Sequence, residues 1–359
     1  MYCRRCISFC GEEGDDSLFE RKFKGESKLN YKLSKDQDEI ASRTLESIIN
    51  HKNVLIHAVC GAGKTELVYK SINYGLKNRW RIGFAIPRRD VVIELSKRLQ
   101  NAFSQYIVTS IFGGNTNLLS GDILCLTTHQ LFRFKNYFDL LILDEIDAFP
   151  YKGNYVLNEI FKRSVRGNYI LMSATPSENL LLEFKNDEDK TLLELHTRYH
   201  KQPIPVPQIK INLKVILPLL ILKKLKQFIK EDKQTFIFCP TIEECENLYY
   251  FLKNFAKQGF FVHSKCKDRS ERIEDFRKGK YKYLVTTAVL ERGVTVKNLQ
   301  VIIYNSSSEI YSKEALIQIS GRVGRVLGAT DGEIIYYAER KSEAMVQSIK
   351  EIEYENTFL

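Results

Sequence analysis

"VLIHAVCGAGKTELV", residues 54 to 68, decides the fold. An apolar run of strand character ends in two closely spaced glycines. A lysine and a threonine then open a stretch, "TELVYKSINYGL", that reads as helix. Strand, glycine loop and helix in that order are the setting a phosphate-binding loop requires. Gly61 and Gly63 permit the tight turn, and the backbone N–H groups of Gly61, Ala62 and Gly63 face phosphates at the helix start. Lys64 reaches the terminal phosphates and Thr65 ligates magnesium. The first position of the pattern holds Ala58 where glycine is usual.

Outward from this stretch the pattern continues. "RIGFAIP", "YIVTSIF", "DILCLTTH", "LLILDE" and "NYILMSATP" alternate with helix-compatible segments, which predicts a parallel sheet covered by helices. At 199 to 210, "YHKQPIPVPQIK" places three prolines within five positions, which can continue neither a helix nor a central strand and reads as an extended connector. Beyond it "KQTFIFCPT", "GFFVHSK", "YKYLVTTAVL" and "LQVIIYN" repeat the alternation and predict a second α/β domain. The expected division is a short Cys-containing segment over 1–28, a first domain over 29–200, a linker over 201–214 and a second domain over 215–359.

The stretch "LILDEIDAFPY" (141 to 151) runs from a buried strand straight into Asp144, Glu145 and Asp147. Ligands of open parallel sheets bind at the carboxyl ends of strands, where a carboxylate pair can hold a metal ion and polarise a water. With a phosphate loop upstream, Asp144 is expected to hold Mg²⁺ and Glu145 to act as the base or water-positioner for attack on the γ-phosphate. Asp147 is expected to anchor the neighbouring motif.

Composition narrows the setting. The chain has 359 residues, 44% of them hydrophobic, enough for about two domains with full cores. Its longest apolar run, "VILPLLIL" (215 to 222), falls far short of the ~20 residues of a bilayer span. The first residues lack the apolar run of a signal peptide, and the scattered cysteines read as reduced thiols rather than a disulfide framework. Both point to the cytoplasm. A net charge of +10 and pI near 9.0 favour a polyanionic partner.

In order, the chain carries Gln37 in "LSKDQ", the loop with Lys64, "PRRD" (87 to 90), "TTH" (127 to 129), "DEID" (144 to 147), "SATP" (173 to 176), "TTAVLERG" (286 to 293) and "QISGRVGR" (318 to 325). This series resembles the superfamily 2 helicases and translocases. The spellings "DEIDAFPY", "TTHQLFRF", "LERGVT" and "QISGRVGR" look most like the ComFA-type ATPases of bacterial natural competence, with primosomal restart helicases more distant. The resemblance implies two tandem RecA-like domains and an ATP hydrolase using Mg²⁺. It implies that Gln37 reads the nucleotide base, that Lys64 and Thr65 hold phosphates and magnesium, and that Asp144 and Glu145 do the hydrolytic work. Glu291 and Gly293 join the nucleotide contacts, and Gln318, Arg322 and Arg325 complete the site from the second domain. Dispersed charge on γ-phosphate oxygens needs guanidinium donors, which agrees with the two arginines.

By the same resemblance Arg88, Thr128, Thr241, His263 and Thr287 lie along a groove that tracks a nucleic-acid strand, contacting phosphate rather than base. Arg89, where the family has an apolar residue, either adds a phosphate contact or faces solvent. ComFA-type proteins carry two Cys pairs that form a zinc site, and "MYCRRCISFCG" supplies one pair, Cys3 and Cys6, with Cys10 as a third thiol. Structural Zn²⁺ needs four ligands, so zinc is expected only with upstream cysteines. The expected function is an ATP-driven translocase on single-stranded DNA serving DNA uptake. Its partners would be a membrane channel and other competence proteins, met at the inner face of the plasma membrane without insertion. The alternatives are a duplex-unwinding DNA or RNA helicase, for which a short pin would have to sit in "FFVHSKCKDRSERIED", and a nucleotide-dependent scaffold that hydrolyses nothing.

Overall fold

The computed structural model describes residues 14, 19–29, 31–287, 296–324 and 332–359. They form two units, Met1–Tyr199 and His200–Leu359. The first runs α1 (Lys35–Ile49), β1 (Asn53–Ala58), α2 (Lys64–Leu67), α3 (Tyr69–Lys77), β2 (Ile82–Ile86), α4 (Arg89–Ala102), β3 (Val108–Ile111), β4 (Ile123–Thr127), a 3-10 turn over Thr128–Arg133, β5 (Phe138–Asp144), α5 (Tyr155–Ser164), β6 (Val165–Ser173), α6 (Glu178–Asn186) and β7 (Lys190–Leu195). Its seven strands are all parallel, in the order β3-β4-β2-β5-β6-β1-β7.

The inner strands β2, β4 and β5 of this sheet are apolar on both faces because helices cover both. Val54, Ile56 and Phe84 enter the core under α1, α3 and α4, while Leu55, Ala85, Leu141 and Leu143 enter the opposite core under α5 and α6. Alternation of side chains along a strand sends neighbours to opposite faces, so a parallel strand buried on both sides reads as a continuous apolar run. Each such large side chain contributes on the order of 1.5–3 kcal/mol by leaving water. This confirms the expected parallel α/β architecture.

The second unit runs β8 (Gln208–Ile211), α7 (Leu217–Lys230), β9 (Thr235–Phe238), α8 (Ile242–Lys253), β10 (Gly259–Val262), α9 (Arg269–Arg277), β11 (Tyr283–Thr286), β12 (Gln300–Tyr304), α10 (Lys313–Ser320), β13 (Ile334–Ala338) and α11 (Glu343–Asn356). Its six strands are parallel in the order β10-β11-β9-β12-β13-β8. Phe236, Phe238 and Ile303 pack with residues of α10 and α11. Ile237 and Ile302 pack against α7 and α8. The stretch "FFVHSKCKDRSERIED" is the end of β10, a turn and α9. It holds no hairpin that could serve as a pin.

Two expected boundaries are corrected. The linker over 201–214 is not a free connector: Gln208–Ile211 pairs with Ile335–Ala338 as an edge strand, and Ile204 is buried in the second core. The three prolines stop just short of the paired residues, and an edge strand tolerates such neighbours. The segment over 1–28 is also not separate where it is described. The Lys24 N–H donates to the Tyr106 hydroxyl, the Lys24 ammonium meets Asp122 at 3.0 Å, and the Ser27 and Lys28 N–H groups bond Asn73 and the Ala102 carbonyl. A chain without regular structure has to satisfy its backbone elsewhere, and here the first unit does so. Cys3, Cys6 and Cys10 lie outside the described residues, as do Glu291, Gly293 and Arg325.

Candidate nucleotide and nucleic-acid sites

β1, β6 and β5 are adjacent in the sheet, so three motifs arrive together at its carboxyl edge: the glycine loop after β1, Ser173–Thr175 after β6, and Asp144–Asp147 after β5. Parallel strands make this automatic, since every strand ends on the same side. Gly61 (φ 89°) and Gly63 (φ 75°) both occupy the left-handed region, where a side chain is strained. A Cβ on Gly63 would also stand 2.7 Å from Gln37 Nε2. The loop therefore needs glycine at both places.

Side chains bond the loop at alternate carbonyls. Lys64 Nζ donates to Ala58 O at 3.4 Å, Arg198 Nε to Cys60 O at 3.1 Å, and Gln37 Nε2 to Ala62 O at 2.7 Å. A planar trans peptide points its N–H opposite its C=O, so carbonyls held on one side turn the following N–H groups to the other. Those of Gly61 and Gly63 donate to no backbone carbonyl among the described residues, whereas the Ala62 N–H, expected to face phosphate, donates to the Val59 carbonyl at 3.1 Å. Those two N–H groups of Gly61 and Gly63, at a helix start, are donors of the kind a phosphate takes up. Thr65 is enclosed at 7% exposure.

Gln37, expected to read the nucleotide base, is 2% exposed and has both ends of its amide bonded within the first unit. Its Oε1 accepts the Ser34 N–H at 2.9 Å while Ser34 Oγ accepts the Gln37 N–H, a reciprocal cap that locks the start of α1. Its Nε2 then joins that helix to the loop.

At the acidic motif Asp144 Oδ1 accepts the Glu145 N–H at 2.8 Å, and Glu145 takes φ 59°, a conformation that costs a non-glycine residue about 1–2 kcal/mol. Asp147 Oδ2 accepts the Thr175 hydroxyl at 2.7 Å, and Thr175 N–H donates to Ser173 Oγ at 3.0 Å. The anchoring expected of Asp147 is thus a direct bond between the motifs that end β5 and β6. Asp144 and Thr65 have the oxygen ligands that Mg²⁺ prefers.

In the second unit Gln318 and Arg322 are both buried, the latter at 2% exposure. The strand-groove residues divide. Arg88 is half-buried at the start of α4, and Thr241 is exposed, capping α8 through the Glu244 N–H. Thr287 is buried beside Thr286, and His263 is buried with Nε2 at 3.0 Å from Glu246. Thr128 is a correction: its side chain is fully enclosed because the 3-10 turn that it opens packs against α5 and β4, so it offers no surface to a strand. Arg89 is exposed, as one of the two readings had it, with its guanidinium over the Phe112 ring at 4.8 Å.

Sequence reasoning missed a buried carboxylate beside the loop. Glu66, 4% exposed, pairs with Arg98 of α4 at 2.7 Å. Burial, then Glu66, pushes the Tyr31 hydroxyl's pKa well up. An acid on the inner face of an apolar helix, directly after Lys64 and Thr65, was the available signal. Removing Arg98 leaves a buried charge without its counter-ion, so Arg98→Met should cost about 2 kcal/mol, reduced from a fully buried pair because Arg98 is itself half-exposed. Thermal melts check it. A Tm within about 1 °C of the parent protein would show that the pair carries no stability.

Among the described residues no group of three or more His, Cys, Asp or Glu side chains could hold a metal ion, and no helix is long and apolar enough to cross a membrane. Cys60, Cys125, Cys239, Cys245 and Cys266 are free thiols.

Two stacked-helix parallel sheets, one carrying a phosphate loop and an acidic motif at its carboxyl edge, define an ATP-hydrolysing helicase-type enzyme of superfamily 2. Comparison with known families agrees: residues 30–178 match the res subunit of type III restriction enzymes, and residues 220–327 match the helicase conserved C-terminal domain. The chain is 34% identical over 375 residues to the competence protein ComFA of Bacillus subtilis (strain 168), covering 99% of this chain and 80% of that protein. It is 33% identical over 372 residues to ComFA of Streptococcus pneumoniae (strain ATCC BAA-255 / R6), covering 99% and 85%. It belongs to the ComFA family of competence proteins. The structure of S. cerevisiae Dbp5 bound to RNA and ADP BeF3 is similar in fold, with a TM-score of 0.67 at 18% identity over 91% of this chain and 92% of that one.

Proposed function

We propose that this competence ATPase is a translocase that moves along single-stranded DNA in the cytoplasm and drives DNA uptake. The observation that carries the reading is the glycine loop, with the Cys60 and Ala62 carbonyls held by Arg198 and Gln37 and the Gly61 and Gly63 N–H groups bonded to no backbone carbonyl among the described residues, on the same sheet edge as the bonded pair Asp147–Thr175. A loop so fixed binds a nucleotide's phosphates without reorganising, and a hydrogen bond between the acidic motif and the end of β6 gives the hydrolytic residues a neighbour to act on.

In this reading Lys64 neutralises the distal phosphates and Glu145 positions and deprotonates the attacking water. Magnesium, held by Thr65 and Asp144, would supply charge neutralisation at the phosphates. Gln318, Arg322 and Arg325 serve the same reaction, and Glu291 and Gly293 add nucleotide contacts. Arg88 and Thr241 have the exposure to meet phosphate oxygens of a strand, and the +10 net charge favours that partner over a neutral one. The motor would pass strand and force to a membrane DNA-uptake channel through other competence proteins.

Hydrolysis should rise with single-stranded DNA of any sequence. Contact with about five phosphates implies a log–log salt slope of binding near −3.5. A slope near zero, or a strong preference for one sequence, would remove the groove. Translocation itself is tested by displacement of streptavidin from strands biotinylated at the 5′ or the 3′ end. ATP-dependent displacement from one end supports the reading, and displacement from neither end refutes it.

A further inference from the structure

We propose that Arg198 is a positioning residue of the nucleotide site, aiming the Gly61 N–H at the distal phosphates; this rests on reading residues 58–65 as the phosphate loop. Arg198 comes from the far end of the first unit's sequence, three residues past β7, and no motif in the sequence marks it. It is 3% exposed, an unusual place for a guanidinium in a chain with 54 lysines and arginines to put on its surface. The cost of burying it needs a local reason.

The geometry supplies one. Arg198 Nε donates to the Cys60 carbonyl at 3.1 Å, while its Cγ, Cδ and Nε lie 3.5–3.8 Å from the point where a Cβ on Gly61 would stand. The side chain thus lies against the Cys60–Gly61 peptide and holds its oxygen. Because the peptide is planar and trans, fixing that oxygen fixes the direction of the Gly61 N–H on the opposite side. Gln37 does the same one step on, at Ala62 O. Gly61, at φ 89° and with no Cβ, would otherwise be the loosest link in the loop.

The residues on either side of Arg198 hold it to its task. Thr197 Oγ1 donates to Asp36 at 3.3 Å, the Tyr199 hydroxyl donates to the Lys32 carbonyl at 3.4 Å, and the Tyr199 ring meets Tyr31 edge-on at 5.6 Å. Residues 197–199 are therefore a strap across the entry to α1 and the glycine loop. A strap serving stability alone would have no need to end in a charged donor on a phosphate-loop carbonyl, where its positive field also reaches the anion.

The test separates phosphate recognition from folding. Arg198→Met keeps the stem over Gly61 and removes the donor, and Arg198→Lys keeps a donor. Titration with labelled ADP and AMP should show ADP affinity falling on the order of 10-fold in Arg198→Met, AMP affinity falling far less, and Arg198→Lys recovering most of the loss. In steady-state hydrolysis the loss should fall on KM more than on kcat. If Arg198→Met is destabilised, the ADP-induced rise in Tm reports the same quantity and should shrink by more than that induced by AMP. ADP affinity unchanged, or ADP and AMP weakened alike, overturns the proposal. Lys64→Ala distinguishes the two levels: if it hydrolyses ATP like the parent protein, the phosphate-loop reading itself fails, whereas a dead Lys64→Ala beside a normal Arg198→Met removes only Arg198.

Discussion

Glu145→Gln should bind ATP and fail to hydrolyse it. A positioned general base contributes on the order of 10²–10⁴ in rate, so single-turnover hydrolysis in the presence of DNA should fall at least ~10²-fold while ATP affinity stays within a few-fold. Glutamine is nearly isosteric and keeps the backbone N–H that Asp144 Oδ1 accepts, so the turn after β5 survives the change. What disappears is the proton acceptor. The φ of 59° at this position supports the assignment, because a chain that accepts strain at a carboxylate beside a phosphate loop gains the placement of that carboxylate. Hydrolysis near the parental rate would show that Glu145 is not the base. Loss of ATP binding would place it among the ground-state contacts instead.

The fold was legible in the sequence because its signals are local. A strand buried on both faces is an unbroken apolar run, and "LLILDE" or "VLIHAV" can be little else when glycine or charge follows. The glycine loop was equally plain, since Gly61 and Gly63 mark a backbone requirement that other residues meet only under strain. What escaped was whatever depends on residues far apart in the chain. Arg198 meets Cys60 across 138 positions and Arg98 meets Glu66 across 32, and neither pairing leaves a spacing to read. Thr128 misled for a related reason: a hydroxyl in "TTH" looks equally like a phosphate contact and a buried turn, and only the packing of the turn decides. The edge strand Gln208–Ile211 hid behind three prolines, which are barred from central strands but tolerated beside an edge.

Arg325→Ala should lose at least ~10²-fold in DNA-stimulated hydrolysis with little change in nucleotide affinity. Arg325 lies outside the described residues, and the expectation comes from its place in "QISGRVGR", three positions past Arg322. Its position in that motif makes Arg325 the better candidate for a donor that meets charge only as it develops, with Arg322, buried at 2% exposure, able to cover for it in part. Ground-state phosphates already have the loop amides and Lys64. A further donor that strengthened the ground state and the transition state alike would lower KM without raising kcat, so an arginine retained for catalysis should show its effect in kcat. Partial cover by Arg322 sets the lower bound of the expected loss, since an arginine in this role is worth on the order of 10³–10⁵. Arg325→Lys should restore only part of the rate, because an ammonium is a point charge and cannot present the planar pair of donors that spreads over two phosphate oxygens. Rapid-quench measurement of the hydrolysis step, beside ATP titration of the same variant, decides the matter. If Arg325→Ala weakens ATP binding many-fold and leaves the maximal rate intact, the second unit contributes to holding ATP and not to its chemistry, and the roles assigned to Gln318, Arg322 and Arg325 fall together.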